Sequence, residues 1–223
     1  MIKLKEVYFS YSKEPVVKGA SLSLGKECIA LVGPNGAGKT TILKLMAGIY
    51  TPKKGEVLIE GRNIWKLPEK EAIKLRRKVV YVHENPIVLR GSVLDNVIFG
   101  LRIRGISAEE ARIRALKLMK ELGIEELSKK DARTLSAGQA QLLALARALI
   151  VEPSYLLLDE PMANLDWKRR KSILELLKEL RDSGRSIAIA THDALLVTMV
   201  CSKAYIIEEG KIISEADPSV ILQ

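Results

Sequence analysis

A glycine-rich loop near the start of the chain has the composition and spacing of a phosphate-binding site. It reads Gly33-Pro34-Asn35-Gly36-Ala37-Gly38-Lys39-Thr40-Thr41. Glycines let backbone N–H groups turn inward around phosphate oxygens, the Lys39 ammonium reaches the β- and γ-phosphates, and the Thr40 hydroxyl is a ligand for Mg²⁺. A glycine-rich turn without a ligand is the alternative, but an apolar run precedes this loop and a helical run follows it. The loop therefore predicts binding of ATP with Mg²⁺.

Two carboxylates, Asp159 and Glu160, are candidates for a metal ligand and a general base, which a phosphate loop alone does not provide. They directly follow the apolar run Tyr155–Leu158. An aspartate that ends a buried strand beside a phosphate loop holds Mg²⁺ through its water shell, and the adjacent glutamate polarises the attacking water as a general base. Each carboxylate taken alone is also explained as a helix N-cap, which is a weak alternative beside Lys39 and Thr40. We therefore predict ATP hydrolysis.

A second phosphate-binding feature lies about a hundred residues downstream. The stretch Leu135-Ser136-Ala137-Gly138-Gln139 precedes an apolar helical run. The first turn of a helix has free N–H groups and the positive end of the helix dipole, and the small Ala137 lets the backbone approach an anion closely. If each chain bound one ATP by itself, either the phosphate loop or the stretch Leu135–Gln139 would have no phosphate to bind. We therefore expect a dimer with shared sites.

Four short runs that are apolar on both faces must position these residues. They are Ile29–Val32, Val79–Val82, Tyr155–Leu158 and Ile187–Ala190. Such runs are typical of buried parallel strands, and their alternation with helical segments predicts an α/β fold. Gly33, Glu84, Asp159 and His192 follow the carboxyl ends of the four runs, which is the edge where open α/β sheets bind ligands.

The remaining segments predict an antiparallel flank and a helical lobe. Residues 2–24 and 55–64 alternate between apolar and polar side chains and contain turn residues, as antiparallel strands do. The segment from about 86 to 152 is helical, with Ser107 and Glu110 spaced as a capping box. We interpret residues 1–223 as one domain, in which about 1–85 and 153–223 form the α/β core and about 86–152 form an inserted lobe.

Composition narrows the function classes. Apolar residues make up 48% and charged residues 28% of the chain, and no apolar run approaches the roughly 20 residues that span a bilayer. The start of the chain lacks the pattern of a secretory signal, so a cytoplasmic protein is expected. The net charge is +9, but aromatic residues are only 4% and the basic residues are scattered, so no nucleic-acid partner is expected. Cys28 and Cys201 are interpreted as buried, reduced thiols.

Five motifs occur in an order that resembles the nucleotide-binding domain of the ATP-binding cassette (ABC) family. They are the phosphate loop, Leu135–Gln139, Asp159-Glu160, Ala163–Asp166 and Thr191–Asp193. The resemblance covers essentially the whole chain and implies a P-loop NTPase core. It also implies a head-to-tail dimer, either a homodimer or a pseudo-dimer with a second ATPase subunit, that closes on two ATP molecules. Residues Ser136 to Gln139 of one subunit then meet the γ-phosphate that Lys39 of the other subunit holds.

The resemblance implies roles for three further residues. His192 hydrogen-bonds the γ-phosphate and helps to orient the water, so it is counted with Lys39 and Glu160 as catalytic. Asp166 connects the two active sites across the dimer, although a turn or helix N-cap also explains it. Tyr11 stacks on adenine, with a core role and a shift to the neighbouring Tyr8 or Phe9 as the alternatives.

The chain departs from the family pattern at three positions. Glu84 stands where the family usually has glutamine; it keeps oxygens for Mg²⁺ but cannot donate an N–H when ionised. We expect Glu84 to contact the metal or the ATP and to retain the coupling role. Ala137 replaces the commoner glycine, and Leu142 replaces a basic residue found in many members. His83 has no family match and is interpreted as a surface or interface residue.

These observations favour an ATPase subunit of a membrane transporter, bound to the inner face of the membrane through permease subunits that dock near residues 84–105. Residues 92–101 resemble importer cassettes, so a prokaryotic solute importer is the leading interpretation and an exporter the alternative. An ABC protein of ribosomes or DNA is less favoured, because the chain has neither a second cassette nor a long coiled coil. A kinase or GTPase would leave the stretch Leu135–Gln139 unexplained.

Overall fold

The computed structural model describes residues 1–163 and 165–222, which form ten strands and seven α-helices. The strands are β1 (Ile2–Phe9), β2 (Val17–Leu24), β3 (Cys28–Val32), β4 (Lys54–Ile59), β5 (Arg62–Asn63), β6 (Val79–Val82), β7 (Tyr155–Asp159), β8 (Ser186–Ala190), β9 (Lys203–Glu208) and β10 (Lys211–Ala216). The helices are α1 (Lys39–Met46), α2 (Glu69–Arg76), α3 (Val93–Arg102), α4 (Ala108–Glu121), α5 (Ala137–Leu149), α6 (Trp167–Asp182) and α7 (Ala194–Val200). Short 3₁₀ turns lie at Glu125–Leu127, Ala132–Thr134 and Pro218–Leu222.

A six-stranded sheet with the order β10-β9-β3-β8-β7-β6 carries the carboxyl ends that matter for the site. Strand β3 is parallel to β8 and β9, and β7 is parallel to β8, whereas β10 is antiparallel to β9. Every residue of β7 and β8 is buried, as the uniformly apolar runs predict for strands covered on both faces. The four predicted apolar strands and the α/β class are confirmed.

The flank is a four-stranded antiparallel sheet with the order β2-β1-β4-β5, as predicted. In β1, Ile2 and Leu4 are fully buried while Lys3 and Lys5 are exposed, which is the period-two pattern of a half-buried strand. Helix α1 contacts β1 and β2 and also β7 and β8, and its buried face includes Ile42 and Leu45. The helix that follows the phosphate loop is thus fixed by the main core.

The chain divides into two compact units. Unit 1 comprises Met1–Tyr81, Ser154–Glu160 and Leu174–Gln223, and unit 2 comprises Val82–Pro153 and Pro161–Ile173. The sequence placed the helical lobe at about 86–152, so the structural division starts it earlier and adds Pro161–Ile173. The residues of unit 2 that the structure describes pack α3 against α4 and α5, with one isolated bridge between Ser92 and Asp131.

Helix caps within unit 2 follow the sequence closely but not completely. Ser107 is the N-cap of α4, and its hydroxyl accepts the Glu110 N–H, which is half of the predicted capping box. Complete capping boxes instead start α3, through Ser92 and Asp95, and α5, through Ser136 and Gln139. Within residues 1–163 and 165–222, no helix has both the length and the apolar character needed to cross a bilayer.

Candidate functional site

The phosphate loop is shaped by two glycines for two different reasons. Gly33 follows β3, and a Cβ at that position would lie 2.1 Å from the carbonyl oxygen of Ile207 in β9. Gly38 has φ 102° and is the N-cap of α1, in a left-handed conformation that side chains disfavour. Because the cap is a glycine, no side chain caps the amino end of α1 by a hydrogen bond. The loop therefore presents the amide end of a helix that is fixed in the core.

Lys39 is held inside this loop. Its side chain is buried, with 8% of the residue exposed, and its ammonium donates to the carbonyl oxygens of Gly33 at 2.7 Å and Pro34 at 3.0 Å. A buried ammonium needs partners, and phosphate oxygens satisfy it better than neutral carbonyls because they carry charge. Lys39 thus provides the cation that the sequence predicted, already placed in the loop.

Tyr11 lies beside the start of α1. Its hydroxyl is 3.0 Å from the Thr41 hydroxyl, and its ring packs edge-on against Phe9 and Tyr50, at centroid distances of 5.1 and 5.5 Å. Burial of the phenol raises the pKa of Tyr11, so the hydroxyl stays protonated at neutral pH. The residue remains 59% exposed, so its position leaves aromatic surface available to a base. Phe9, by contrast, is a buried core residue, and Tyr8 is exposed.

The end of β7 carries a buried carboxylate with a phenol bound to it. Asp159 is 2% exposed, and its Oδ2 accepts a hydrogen bond of 2.8 Å from the Tyr81 hydroxyl. Burial, together with the adjacent negative charge of Asp159, raises the pKa of Tyr81, so the phenol acts as a donor. The sequence did not predict a role for Tyr81. It lies in the apolar run that forms β6, and nothing in that run indicates that its hydroxyl bonds Asp159.

Glu160 is the most highly constrained carboxylate of the site. Its backbone has φ 43°, and its N–H donates to the carbonyl oxygen of Ala190 in β8. Thr191 Oγ1–H donates to Glu160 Oε2 at 2.9 Å; the His192 N–H reaches Oε1 at 3.2 Å, and His192 Nδ1 lies 2.8 Å from the same oxygen. Thr191 also accepts the Asp193 N–H at 3.1 Å. Three groups from one turn therefore fix this carboxylate.

The strand register explains why these groups meet. Leu31 and Asp159 both pair with Ala190, so β3, β8 and β7 end at one level. Neighbouring strands lie roughly 5 Å apart, so the phosphate loop, the turn at Thr191 and His192, and the two carboxylates leave the same edge of the sheet. Unit 1 thereby contains Tyr11, the whole phosphate loop, Asp159, Glu160 and His192. The His192 side chain is 77% exposed, although its Nδ1 contacts Glu160.

The other predicted site residues lie in unit 2. Ser136 is exposed; its hydroxyl accepts the Gln139 N–H at 3.3 Å, and Gln139 Oε1 accepts the Ser136 N–H at 3.1 Å. A hydroxyl that accepts a hydrogen bond keeps its own hydrogen for donation, so this cap remains able to bind an anion. Ala137 is exposed and Gly138 is buried. The Ser136 and Gln139 N–H groups are engaged within the cap, whereas the hydrogen of the Ser136 hydroxyl is not used by it.

Asp166 lies just before α6 and bonds a residue in the first turn of that helix. Its carboxylate accepts the Arg169 N–H at 3.0 Å and the Arg169 guanidinium at 2.9 Å, near the start of α6. Within one chain, the contacts of Asp166 are those of a helix cap. The predicted connection between two active sites involves a second chain and stays a prediction. The adjacent Trp167 is 70% exposed. Asn164, within the motif Ala163–Asp166, lies outside the described residues.

Glu84 lies in an exposed turn after β6. The side chain is exposed, and the turn is closed by the Asn85 N–H, which donates to His83 Nδ1 at 3.0 Å. His83 therefore has a local role in shaping this turn, consistent with a surface position.

The oxygen donors of unit 1 fit Mg²⁺ better than a transition metal. Among the described residues there is no group of three or more His, Cys, Asp and Glu side chains that could hold a metal alone. Mg²⁺ keeps several waters and is held by one or two protein oxygens together with substrate phosphates. The half-buried Thr40 hydroxyl and the buried Asp159 carboxylate are oxygen donors of this kind.

One family model and several known proteins are similar to this chain. The family model described as "ABC transporter" matches residues 17–163. The energy-coupling factor transporter ATP-binding protein EcfA of Methanocaldococcus jannaschii is 36% identical, over 99% of this chain and 80% of that protein. The lipopolysaccharide export system ATP-binding protein LptB of Escherichia coli K12 is 37% identical, over 98% of this chain and 91% of that protein. A solved structure of the ATP-binding cassette MJ0796, dimeric and bound to ADP and Pi after hydrolysis, has a TM-score of 0.89 at 31% identity, covering 98% of this chain and 99% of that chain.

Proposed function

This chain belongs to the ABC transporter family as an ATP-binding subunit with ATPase activity, and we propose that it drives a prokaryotic solute importer through ATP-dependent closure of a dimer. The observation that carries the enzymatic part of the proposal is the Glu160 carboxylate. It stands at the carboxyl end of β7, held by Thr191 and His192, on the sheet edge from which the phosphate loop also leaves.

The chemistry assigned to this edge is attack of water on the γ-phosphorus, which breaks the bond to the β–γ bridging oxygen and releases ADP and phosphate. Glu160 accepts the proton of that water at a carboxylate oxygen, and Lys39 binds the β- and γ-phosphate oxygens. Thr40 and Asp159 would hold Mg²⁺, which would neutralise phosphate charge. His192 now contacts Glu160, and rotation of its exposed ring towards the γ-phosphate would free Oε1 to face the water.

The second half of each site comes from the partner subunit. The start of α5, at Ser136 to Gln139, offers a hydroxyl, helix amides and the positive end of the helix dipole to the γ-phosphate of the opposite chain. Asp166 and the exposed Trp167 would lie at the same junction. Tyr11 is assigned to adenine stacking, because its ring is exposed while Thr41 and the aromatic neighbours fix its direction.

The permease is proposed to dock on unit 2 near residues 84–105. Three large apolar side chains of this segment are exposed, namely Ile87, Phe99 and Ile103. Phe99 and Ile103 are four residues apart at the end of α3, so they share one face of the helix. Exposed apolar groups grouped in this way suit an amphipathic cytoplasmic helix of a membrane partner. Glu84 would couple this surface to the site.

The direction of transport is the finer part of the proposal. EcfA is named as a subunit of an energy-coupling factor transporter, and LptB as a subunit of an export system. The importer assignment rests on the resemblance of residues 92–101 to importer cassettes. An exporter subunit is the second candidate, favoured by the similarity to LptB. In either case the protein would lie on the cytoplasmic face of the membrane, held by the permease.

The enzymatic part is tested with Glu160→Gln. We expect turnover of ATP to fall by at least about 100-fold, as removal of a general base does, while ATP binding and ATP-dependent dimerisation persist. Glu152→Gln is the matched control, because Glu152 also has a left-handed backbone, with φ 47°, but is exposed. Normal hydrolysis by Glu160→Gln, measured as phosphate release, contradicts the base role.

The transport part is tested by purification from membranes after co-expression with candidate permeases. We expect a stable complex whose ATP turnover changes with the solute, and weaker assembly for Ile103→Asp than for Ile113→Asp, a control at another exposed isoleucine, outside residues 84–105. In reconstituted vesicles, external ATP reaches only complexes whose ATPase subunits face outwards. ATP-dependent uptake of solute into the vesicles then identifies an exporter, and ATP-dependent release of solute loaded inside them identifies an importer. ATP-dependent binding to ribosomes or duplex DNA, without a permease, contradicts the transport role.

A further inference from the structure

Tyr81 donates a hydrogen bond to the Asp159 carboxylate, and the family motifs assign this tyrosine no role. Its hydroxyl lies 2.8 Å from Asp159 Oδ2, and the two residues are separated by 78 positions in the sequence. Both belong to unit 1, on strands β6 and β7, which are neighbours in the six-stranded sheet. The bond therefore joins two rigid elements rather than a loop.

The ring of Tyr81 is itself held in place. Tyr81 is half-buried, and the Lys44 ammonium on α1 lies 6.0 Å from its ring centroid and 5.6 Å from that of Tyr50. A cation over an aromatic face is attracted to it, more strongly where water is excluded. The phenol is thus directed at Asp159 by its strand and by α1, the helix that starts with Lys39 and Thr40.

A carboxylate has two oxygens, and the phenol occupies one of them. With Oδ2 bound to Tyr81, rotation of the Asp159 side chain would break a charge-assisted hydrogen bond in a nearly dry environment, where Asp159 is 2% exposed. Oδ1 is left as the carboxylate oxygen that would serve a bound Mg²⁺. Outer groups that fix a metal-binding carboxylate commonly change metal affinity by about 10–100-fold when they are removed.

We propose that Tyr81 is a positioning residue, which orients Asp159 through the hydrogen bond to Oδ2 and thereby sets the affinity of the ATP site for Mg²⁺. The inference rests on the proposed function, because it takes Asp159 to be the carboxylate that holds the metal. It goes beyond that function by adding a residue from β6 to the metal site. Tyr81 contacts neither the metal nor the nucleotide in this assignment.

The test is a Mg²⁺ titration read by binding rather than by turnover. In a Glu160→Gln background, which retains ATP, the melting temperature is measured with saturating ATP at rising Mg²⁺ from a chelator-treated start. For Tyr81→Phe we expect the Mg²⁺ midpoint to rise by about 10-fold. Binding of ATP without metal, measured with a fluorescent analogue, should stay within about twofold, because the phosphate loop is untouched.

Two matched variants separate the hydrogen bond from packing. Tyr155→Phe removes a phenol at the opposite end of β7, where it bonds the Met1 amino group, and should leave the Mg²⁺ midpoint unchanged. Tyr81→4-aminophenylalanine keeps a donor at the same place on the ring, and should restore the midpoint towards that of the parent. It also preserves the test if Tyr81→Phe folds poorly.

The possible results of the titration separate the inference about Tyr81 from the proposed metal site. A Mg²⁺ midpoint for Tyr81→Phe within about twofold of the parent overturns the inference and leaves the proposed function intact. An equal loss of metal-free ATP binding overturns it too, since it shows general distortion of the site. A parent that gains no stability from Mg²⁺ contradicts the metal site of the proposed function, and the inference falls with it.

Discussion

Replacement of Thr191 by valine tests whether the turn after β8 positions the catalytic carboxylate. Thr191 is 1% exposed, and its hydroxyl makes two contacts, donating to Glu160 Oε2 at 2.9 Å and accepting the Asp193 N–H at 3.1 Å. Valine has the same branched shape but carries a methyl group in place of the hydroxyl. Thr191→Val therefore deletes both hydrogen bonds without opening a cavity.

The expected cost follows from those two bonds. A hydrogen bond to a charged group contributes about 1.5–3 kcal/mol, and an amide that loses its acceptor adds about 1 kcal/mol where water reaches it, as at the part-buried Asp193. The free energy of unfolding should fall by about 2–4 kcal/mol. For a chain of this size each kcal/mol lowers the melting temperature by roughly 2–4 °C.

The effect on turnover has a separate origin. Glu160 keeps its contacts with His192 but loses the one that fixes Oε2, so its carboxylate gains freedom to rotate. A displacement of about 1 Å in a catalytic group commonly costs about 100-fold in rate. We expect kcat to fall by about 10- to 100-fold, with the KM for ATP changed far less, because the phosphate loop is separate from this turn.

The assay is steady-state phosphate release together with differential scanning fluorimetry of the same preparations. Thr191→Ser keeps the hydroxyl and should retain most of the activity. Thr198→Val makes the same change on α7, where the hydroxyl bonds only the backbone carbonyls of Ala194 and Leu195, and should not change kcat. If Thr191→Val loses stability but keeps the kcat of the unmodified protein, the positioning argument is refuted.

Three further predictions follow from other contacts. Gly33→Ala places a Cβ 2.1 Å from the Ile207 carbonyl oxygen. The variant should therefore have a free energy of unfolding that is lower by about 1–3 kcal/mol, and it should bind ATP more weakly in calorimetry. Gly25→Ala is the control and should change neither quantity, because its Cβ meets only the end of the Glu27 side chain, at 3.4 Å. Cys28 and Cys201 are buried, and the hydrogen-bonding contact with the Cys201 thiol, together with burial, raises the pKa of the Cys28 thiol. Iodoacetamide at neutral pH should therefore label neither cysteine until denaturant is added, and rapid labelling of the native protein contradicts this. Removal of Mg²⁺ by a chelator should abolish hydrolysis while leaving measurable ATP binding, and continued hydrolysis would exclude the assignment of Thr40 and Asp159.

The predictions that succeeded depend on local chemistry. A run such as Leu156–Leu158 is apolar on both faces, and only a strand covered on both sides uses such a run. The phosphate loop is similarly local, because its glycines, its lysine and the following helix are adjacent in the chain. Glu160 was identified for the same reason, since it follows directly on the strand that carries Asp159.

The contacts missed by the sequence join distant segments. Tyr81 reaches Asp159 across 78 positions, and Cys28 lies 3.3 Å from Cys201 across 173. Period and composition show that a residue is buried, but they do not show which strand will be its neighbour. The Ser107 cap illustrates the limit on a smaller scale, because only half of the capping box predicted there forms, while complete capping boxes form at Ser92 and Ser136.

The sequence by itself determined that the chain has a phosphate-loop pattern at residues 33–41, carries the carboxylates Asp159 and Glu160, and belongs with ABC proteins, because short-range spacing encodes these motifs. Only the tertiary structure decided how Glu160 is held by Thr191 and His192, and which side chain fixes Asp159. The physical reason is the order of strands in the sheet. Register brings the ends of β3, β8 and β7 to one edge, and that order is set by packing of the whole core rather than by any one segment.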